Sequence, residues 1–177
     1  MPFEQLTPNA FRAVIDIDVV GSYNTAKATL PYILASAAVH NSDGVVANPR
    51  GTGGRIIFVS ATMHYTGIPL QTHVSAAKAA VDQLSNGLAI ELGPRGVTSN
   101  VIAPGPIAGT EGAKRLNKEI DPKERGKAVP SGRMGSVKDV ADSTVFLFSD
   151  AANYVNGTTV VGEFQTIPSL NGETFWG

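Results

Sequence analysis

Two short segments with strand character, one on either side of an amphipathic helix, constrain the fold of this chain more than any other feature. RIIFVS at 55–60 is a short continuous apolar run with β-branched residues, which suits a parallel strand buried on both faces. VTSNVIA at 97–103 is predicted as a second buried strand. Between them, apolar residues from Val74 to Leu88 recur at steps of three and four, which marks one face of a helix over 73–92. This order of strand, helix and strand predicts an α/β chain with a parallel sheet.

The flanking segments extend the same pattern. A helix over 8–34 is expected to begin with Thr7 as its N-cap and Pro8 as its first residue, and Pro31 should bend or end it. The buried side of this helix is expected to include Phe11, Val14, Ile15, Ile17 and Val20. Further elements are a surface loop at 36–53, a polar candidate lid at 104–136 with a short helix near 111–119, a helix at 136–149 that begins at a serine cap, and a third strand at 158–162.

The composition excludes several classes of function. The 177 residues carry a net charge of −1 and are 42% hydrophobic, which gives no electrostatic reason to expect nucleic acid or an anionic membrane as a partner. There is no cysteine, so a disulfide scaffold and a thiolate zinc site are excluded, and no metal site is predicted. No apolar run approaches the roughly 20 residues of a membrane span.

The sequence lacks the glycine-rich turn that opens a dinucleotide-binding fold. Such a turn follows a strand and precedes a helix, so that a pyrophosphate can approach backbone N–H groups. The nearest stretch, GTGG at 51–54, precedes a strand instead. We therefore expect a partial Rossmann-like, doubly wound parallel sheet that lacks the N-terminal βαβ cofactor half. On this interpretation, 1–161 is the C-terminal part of one domain and 162–177 is an atypical tail.

The carboxyl ends of the two predicted strands are where a ligand site is expected. In open parallel sheets ligands bind beyond these ends, which here means close to Ser60 and to Pro104. The neighbouring helix carries Lys78 among small apolar residues, where an ammonium group must reach a partner or water. Lys78 is therefore either a functional cation or a surface lysine whose aliphatic stem covers apolar area.

A carboxylate on the first helix is the second chemical candidate. Asp18 lies between Ile17 and Val19, which is a poor position for an ordinary solvated face. Desolvation and a nearby lysine would tune such a carboxylate for proton transfer or for holding a water molecule. Asp16 stays open as the alternative inward-facing residue.

Several segments resemble the short-chain dehydrogenases/reductases. VIDIDVVGSYNTAKATLP at 14–31 resembles their central helix, and GRIIFVSAT at 54–62 resembles their active-site strand. Residues 73–107 resemble their catalytic-lysine helix, next strand and Pro-Gly nicotinamide loop, and 132–161 resemble their last helix and strand. Most members of the family have a tyrosine at the position of Val74 and an asparagine at the position of Asp18. In both departures the sequence resembles one subgroup in particular, the fungal peroxisomal 2,4-dienoyl-CoA reductases.

The resemblance implies a role for each candidate residue. Catalytic residues would be Asp18, Lys78 and Ser60; cofactor contacts would be Lys78, Asn100, Pro104, Gly105, Ile107 and Thr110; and substrate contacts would be His73 and Tyr65. Plainer interpretations stay open. The Ser60 hydroxyl could bond only the backbone at the strand end, His73 and Tyr65 could lie on a polar surface, and the Pro-Gly-Pro segment at 104–106 could be a turn without a ligand.

The resemblance also implies an activity, a cofactor and partners. The activity would be NADPH-dependent reduction of 2,4-dienoyl-CoA to 3-enoyl-CoA in fatty acid β-oxidation, with an acyl-CoA substrate and a homo-oligomer formed through the helices at 8–34 and 73–92. The location would be the peroxisome, although the final residues ETFWG are not a Ser-Lys-Leu type signal, and otherwise the cytoplasm. The alternatives are another short-chain reductase of acyl-CoA or ketone substrates, and a non-catalytic truncated chain.

Overall fold

A three-stranded parallel sheet forms the centre of the fold. The computed structural model of the protein describes residues 1–39, 53–116, 126–127 and 129–163. Its strands are β1 (Gly54–Val59), β2 (Val97–Ala103) and β3 (Thr159–Val161). β2 lies between the other two, with Gly54 opposite Val97 and Ala103 opposite Val161. The prediction of a parallel α/β sheet with strands in these three places is confirmed.

Helices connect and cover the strands. They are α1 (Pro8–Ile15), a π-helical turn (Asp16–Val20), α2 (Gly21–Val39), α3 (Met63–Thr66), α4 (Thr72–Leu92), α5 (Glu111–Leu116) and α6 (Val137–Phe148). Short 3₁₀ turns lie at Phe3–Gln5, Gly93–Arg95 and Asp150–Ala152. The predicted helices at 73–92 and 136–149 are confirmed to within one residue at each end. The predicted loop falls mostly on residues outside the described ranges, as does the end of the predicted helix near 111–119.

The first helical segment differs from the single helix predicted over 8–34. Its start is confirmed, because the Ala10 N–H donates to Thr7 Oγ1 at 3.2 Å and Pro8 is the first helical residue. Pro31 lies inside α2, which continues to Val39, so of the two predicted outcomes the end of the helix is wrong and the bend stays a prediction. Pro31 is exposed and removes only the hydrogen bond that its own N–H would have made one turn back.

The π-helical turn changes which side chains of this segment face the core. Ile17 and Val20, expected on the buried side, are 77% and 41% exposed. Asp18 is instead half-buried beside α4. A π-helical turn inserts an extra residue into the α-helical repeat, so it shifts the phase of the residues within it and after it. The sequence periodicity assumed an uninterrupted α-helix, and the prediction for these two residues is therefore wrong.

Three helices cover the two faces of the sheet. On one face, α2 and α4 pack against β1 and β2 through two clusters whose buried members are Ala37, Leu92 and Val97, and Phe58, Val81 and Val101. On the other face, α6 packs through Ile102, Leu147 and Ala152. β2 is the most deeply buried strand, because β1 and β3 flank it on both sides.

β1 is less buried than predicted. Within the described residues it pairs with β2 alone, so one of its edges is open. Val59, its last residue, is 57% exposed, and the expectation of a strand buried on both faces is wrong there. Gly54 at its start is required by close packing, since a Cβ atom would lie 2.4 Å from Ile33 Cγ2.

The backbone pairing of β3 continues into the segment 162–177 predicted as an atypical tail. The Gly162 N–H donates to the Ala103 carbonyl at 2.9 Å, which extends the β2–β3 ladder by one hydrogen bond. The rest of the tail, from residue 164 onward, lies outside the described residues. Across the described part of the chain, every helix is too short or too polar to cross a bilayer.

Candidate active site at the strand ends

An ion pair between Lys78 and Asp18 lies at the carboxyl end of β1. Lys78 Nζ is 3.1 Å from Asp18 Oδ1 and donates to the Val59 carbonyl at 3.2 Å. The side chains are 18% and 29% exposed, respectively. Both charges are thus partly withdrawn from water yet remain accessible, and this is the setting in which a carboxylate and a lysine can act together on a bound molecule.

Two elements of the fold bring this pair together. Ala77 and Val81 are buried against the sheet, which fixes the rotation of α4 and therefore the direction of Lys78. The π-helical turn presents Asp18 to α4, whereas Asp16 in the same turn is exposed. The choice of Asp18 over Asp16 as the inward-facing carboxylate agrees with this geometry.

Ser60 links the end of β1 to the helix that carries the lysine. Its side chain is buried, and its Oγ donates to the Lys78 carbonyl at 3.3 Å. Its own N–H donates to the Ile102 carbonyl at 2.8 Å. The hydroxyl therefore bonds the backbone, as the plainer interpretation expected, and it also lines the cavity described next. A catalytic role for Ser60 stays a prediction.

A cavity of about 490 Å³ lies beyond the ends of β1 and β2. Ser60, Thr62, Gln71 and Thr110 supply its polar lining groups, and its apolar wall contains Met63, Ile68, Pro69, Leu70, Ala113 and Met134. The Pro104–Ile107 loop also lines it, and on its other side borders a second cavity of about 300 Å³. A mostly apolar cleft with a few polar groups at strand ends is the usual form of a small-molecule site.

The loop after β2 is held in place by close backbone packing. A Cβ atom at Gly105 would lie 2.5 Å from the Glu163 carbonyl oxygen, so only glycine fits between the loop and the end of β3. Thr62 ties the same loop to β1, because its N–H donates to the Pro104 carbonyl at 3.1 Å. Pro104, Gly105 and Ile107 therefore form one wall of both cavities, which is where the predicted cofactor contacts would need to be.

Thr110 lies at the cavity rim and begins α5. Its hydroxyl donates to the Ile107 carbonyl at 3.0 Å and accepts from the Ala113 N–H at 3.1 Å. It lines the cavity as predicted. A contact to a pyrophosphate would have to share or replace these two bonds, so its cofactor role stays a prediction.

Asn100 forms hydrogen bonds through both ends of its side chain. Its side chain is 1% exposed; its Nδ2 donates to the Val155 carbonyl at 2.9 Å, and its Oδ1 accepts from the Thr158 N–H at 3.1 Å. Both ends of the amide thus hold the segment that leads into β3. Asn100 therefore supports the sheet through its side chain, and its predicted cofactor contact stays a prediction.

Tyr65 contacts a carboxylate of α4 through its hydroxyl. Its hydroxyl donates to Asp82 Oδ2 at 2.7 Å, and the described lining of the 490 Å³ cavity does not include it. Burial, and next the hydrogen bond to Asp82, raise the pKa of Tyr65 above its ordinary value. In this arrangement the hydroxyl is engaged with a carboxylate on α4, and the substrate contact predicted for Tyr65 stays a prediction.

The two histidines of this region differ in their surroundings. His64 bonds both Asp82 and the Ala61 carbonyl, a contact that sequence reasoning missed although Asp82 follows Lys78 by one helical turn. His73 Nδ1 is buried without a hydrogen-bond partner among the described residues, and its substrate role stays a prediction. Nowhere in the described ranges do three His, Asp or Glu side chains converge as metal ligands would.

Comparisons with known proteins agree with the fold. A family model described as enoyl-(acyl carrier protein) reductase matches residues 1–163. The peroxisomal 2,4-dienoyl-CoA reductase ((3E)-enoyl-CoA-producing) of Saccharomyces cerevisiae is 50% identical over 160 residues, which are 90% of this chain and 49% of that protein. The enzyme of the same name from Arabidopsis thaliana is 43% identical over 160 residues, which are 89% of this chain and 51% of that protein.

A solved structure shares the fold. A 3-oxoacyl-[acyl-carrier protein] reductase from Brucella melitensis with bound NAD has a TM-score of 0.72 and 28% identity, over 93% of this chain and 55% of its own. The chain thus spans about half the length of the curated relatives that it matches. What those relatives do as whole proteins is therefore a hypothesis for this chain.

Proposed function

This chain belongs to the short-chain dehydrogenase/reductase family, and from that membership we propose that it carries the proton-handling and nicotinamide-side residues of an NADPH-dependent 2,4-dienoyl-CoA reductase. The reaction would convert a 2,4-dienoyl-CoA into a 3-enoyl-CoA, as the names of the yeast and plant relatives indicate for those proteins. The observation that carries the proposal is the 3.1 Å contact between Lys78 and Asp18 beside the strand ends.

The residues present fit the nicotinamide end of the cofactor. A lysine ammonium has three donors; among the described residues Asp18 and Val59 accept two of them, which leaves a third for a ribose hydroxyl. The Pro104–Ile107 backbone lines the adjoining cavity and would meet the edge of the carboxamide. NADPH would supply the hydride. The preference for NADPH over NADH rests on the family relationship.

The chemistry of the substrate explains why a phenolic acid at position 74 is dispensable. Hydride addition at the far carbon of the conjugated system, C5, moves an electron pair through the diene onto the thioester oxygen and leaves a dienolate. Hydrogen-bond donors stabilise that oxyanion, and a proton then adds at the carbon next to the thioester. The remaining double bond lies between C3 and C4, as in a 3-enoyl-CoA.

Asp18 would control the proton that completes the reaction. Its carboxylate is held by Lys78 and is partly open to solvent, so it can accept a hydrogen bond from a water molecule and orient it toward the substrate. Lys78 keeps the carboxylate in place and offers a positive charge near the developing negative charge. Together they would do the work that a tyrosine does in reductases of ketones.

The apolar wall of the 490 Å³ cavity suits the acyl part of such a substrate. Met63, Ile68, Pro69, Leu70 and Met134 contribute apolar surface to this wall. Burial of methylene groups against such a wall favours binding by about 0.8 kcal/mol for each group. The acyl chain would therefore lie along this wall with the thioester toward Ser60.

The test compares two aspartates of the same π-helical turn. Asp18→Asn removes the carboxylate that pairs with Lys78, and a loss of about 10²–10⁴-fold in kcat for dienoyl-CoA is expected. Asp16→Asn is the matched control, because Asp16 is exposed and its change should leave kcat unaltered. NADPH consumption is followed with a dienoyl-CoA and, separately, with a 3-ketoacyl-CoA. Equal turnover of the two aspartate variants, or a preference for the ketone, would contradict the proposal.

Cofactor binding gives an independent measurement. Saturable quenching of NADPH fluorescence on titration with the chain, weakened by Lys78→Met, supports a reductase. An absence of binding favours the alternative of a non-catalytic chain. The sequence alone left these alternatives open.

A homo-oligomer formed through the helices at 8–34 and 73–92, and a peroxisomal location, are further parts of the proposal. Large apolar side chains that stay exposed on these helices support the first, since Ile17, Tyr32 and Ile90 are each more than three-quarters exposed. The names of the peroxisomal relatives support the second. Light scattering of the purified chain and of an Ile17→Asp variant tests the interface; a monomer in both cases would exclude it.

A further inference from the structure

Three polar side chains form a cluster beside the cavity that the proposed chemistry does not use. His64 Nε2 lies 2.9 Å from Asp82 Oδ2, and Tyr65 Oη donates to the same oxygen at 2.7 Å. His64 Nδ1 lies 2.6 Å from the Ala61 carbonyl oxygen. The side chains of His64 and Asp82 are only 7% and 12% exposed, so water supplies little of their hydrogen bonding.

The hydrogen-bond geometry requires a proton between His64 and Asp82. Both ring nitrogens face oxygen atoms, and the Ala61 carbonyl can only accept. A neutral imidazole has one N–H and one lone pair. With Asp82 ionised, a neutral ring would therefore place a lone pair against an oxygen lone pair on one of its two sides. The clash disappears when one more proton is present, either on the ring or on the carboxyl oxygen.

The cluster is connected directly to the wall of the cavity. His64 holds the Ala61 carbonyl, and Ala61, Thr62 and Met63 line the 490 Å³ cavity. Asp82 lies one turn after Lys78 on α4, so the same helix anchors both the lysine and the histidine. We infer that a proton shared by His64 and Asp82 holds the Ala61–Met63 segment in the conformation that forms the cavity wall, which makes His64 a positioning residue.

The proton shared by His64 and Asp82 determines the hydrogen bonding of the cluster, because few other charged groups face the His64 ring. Among the described residues, the titratable groups against His64 are Asp82 from α4 and the Tyr65 phenol from its own helix, whose ring centroid is 3.9 Å from that of His64. Asp82 Oδ1 is buried without a partner in the described part of the chain. Loss of the proton would leave one ring nitrogen with a lone pair facing an oxygen, so either the Ala61 carbonyl or Asp82 would lose its hydrogen bond to His64 and be free to move.

The consequence for the reaction rests on the proposed function. Loss of the shared proton would loosen the wall along which the acyl group lies, so KM for a dienoyl-CoA should rise with pH while kcat changes less. The inference about the proton itself does not depend on the reaction, and its test uses no substrate.

The experiment is a pH titration of the isotopically labelled chain by NMR. The ring resonances of His64 report its proton, and the backbone amides of Ala61, Thr62 and Met63 report the cavity wall. In the unmodified chain, the ring and the three amides should change with one common midpoint. Three amides that do not follow the His64 ring would overturn the inference, and this measurement needs no variant.

Two variants sharpen the result. In Asp82→Asn, an amide NH₂ can donate to a neutral His64 Nε2, so His64 should hold the Ala61 carbonyl without the extra proton and the amides should not move at the midpoint seen in the unmodified chain. In His64→Gln the pH-dependent shift should disappear, because no titrating group remains in the ring's place. A shift that persists in folded His64→Gln, or an unchanged midpoint in Asp82→Asn, would refute the inference, whether or not the chain proves to be a reductase.

Discussion

The close approach of the Glu163 backbone to Gly105 gives the sharpest quantitative prediction. In Gly105→Ala the new Cβ would lie 2.5 Å from the Glu163 carbonyl oxygen and 3.3 Å from its carbonyl carbon. Ordinary contact begins at 3.4 Å, so the two backbone segments must separate by about 0.9 Å, and no side-chain rotation can relieve the overlap. Overpacking of this kind costs about 1–3 kcal/mol, which lowers Tm by roughly 2–12 °C for a chain of this size.

The control for this change lines the same cavity. A Cβ at Gly112 in α5 would meet nothing within 4 Å, and alanine is favoured over glycine in a helix by about 0.5–1 kcal/mol. Thermal unfolding followed by circular dichroism compares the two variants with the unmodified chain. If Gly105→Ala were as stable as Gly112→Ala, the end of β3 would not pack on the loop after β2 as described.

Three further changes test other parts of the fold. Leu147→Ala empties a fully buried position between α6 and the sheet and should cost about 2–5 kcal/mol in chemical denaturation. Gly87→Ala, in the middle of α4 with open space around its Cβ, should raise the free energy of unfolding by about 0.5–1 kcal/mol. Hydrogen bonds from Arg133 and Ser136 hold the pKa of Asp139 well below its ordinary value. The resulting stability is present above pH about 4 and is lost as the pH falls through the lowered pKa, so in Asp139→Asn the unfolding free energy should lose this part of its acid dependence.

The elements that sequence analysis placed correctly are those in which local pattern and tertiary packing agree. The apolar period of α4 predicts the buried face that the structure has, with Ala77 and Val81 against the sheet. Ser136 and Asp139 form a reciprocal capping box at the start of α6, so a local signal fixes that boundary. β2 is buried because it is covered on both faces, and its predicted ends are those observed.

The parts that could not be predicted depend on contacts between distant residues. No local signal marks the π-helical turn, whose extra residue exposes Ile17 and turns Asp18 toward α4. Asn100 and Tyr65 were assigned to ligands by resemblance, but each meets a partner far along the chain, at Thr158 and Asp82. A sequence shows which side chains can form hydrogen bonds, whereas only the fold decides which groups they reach.

The arrangement of Tyr65 also bears on the source of the reaction's proton. This phenol could in principle replace the tyrosine that is missing at position 74. Its hydroxyl, however, donates to Asp82, and burial together with that bond raises its pKa, so releasing its proton would place two negative charges side by side. Under the proposed function, we therefore expect the proton to reach carbon from a water molecule oriented by Asp18, whose carboxylate Lys78 holds at 3.1 Å.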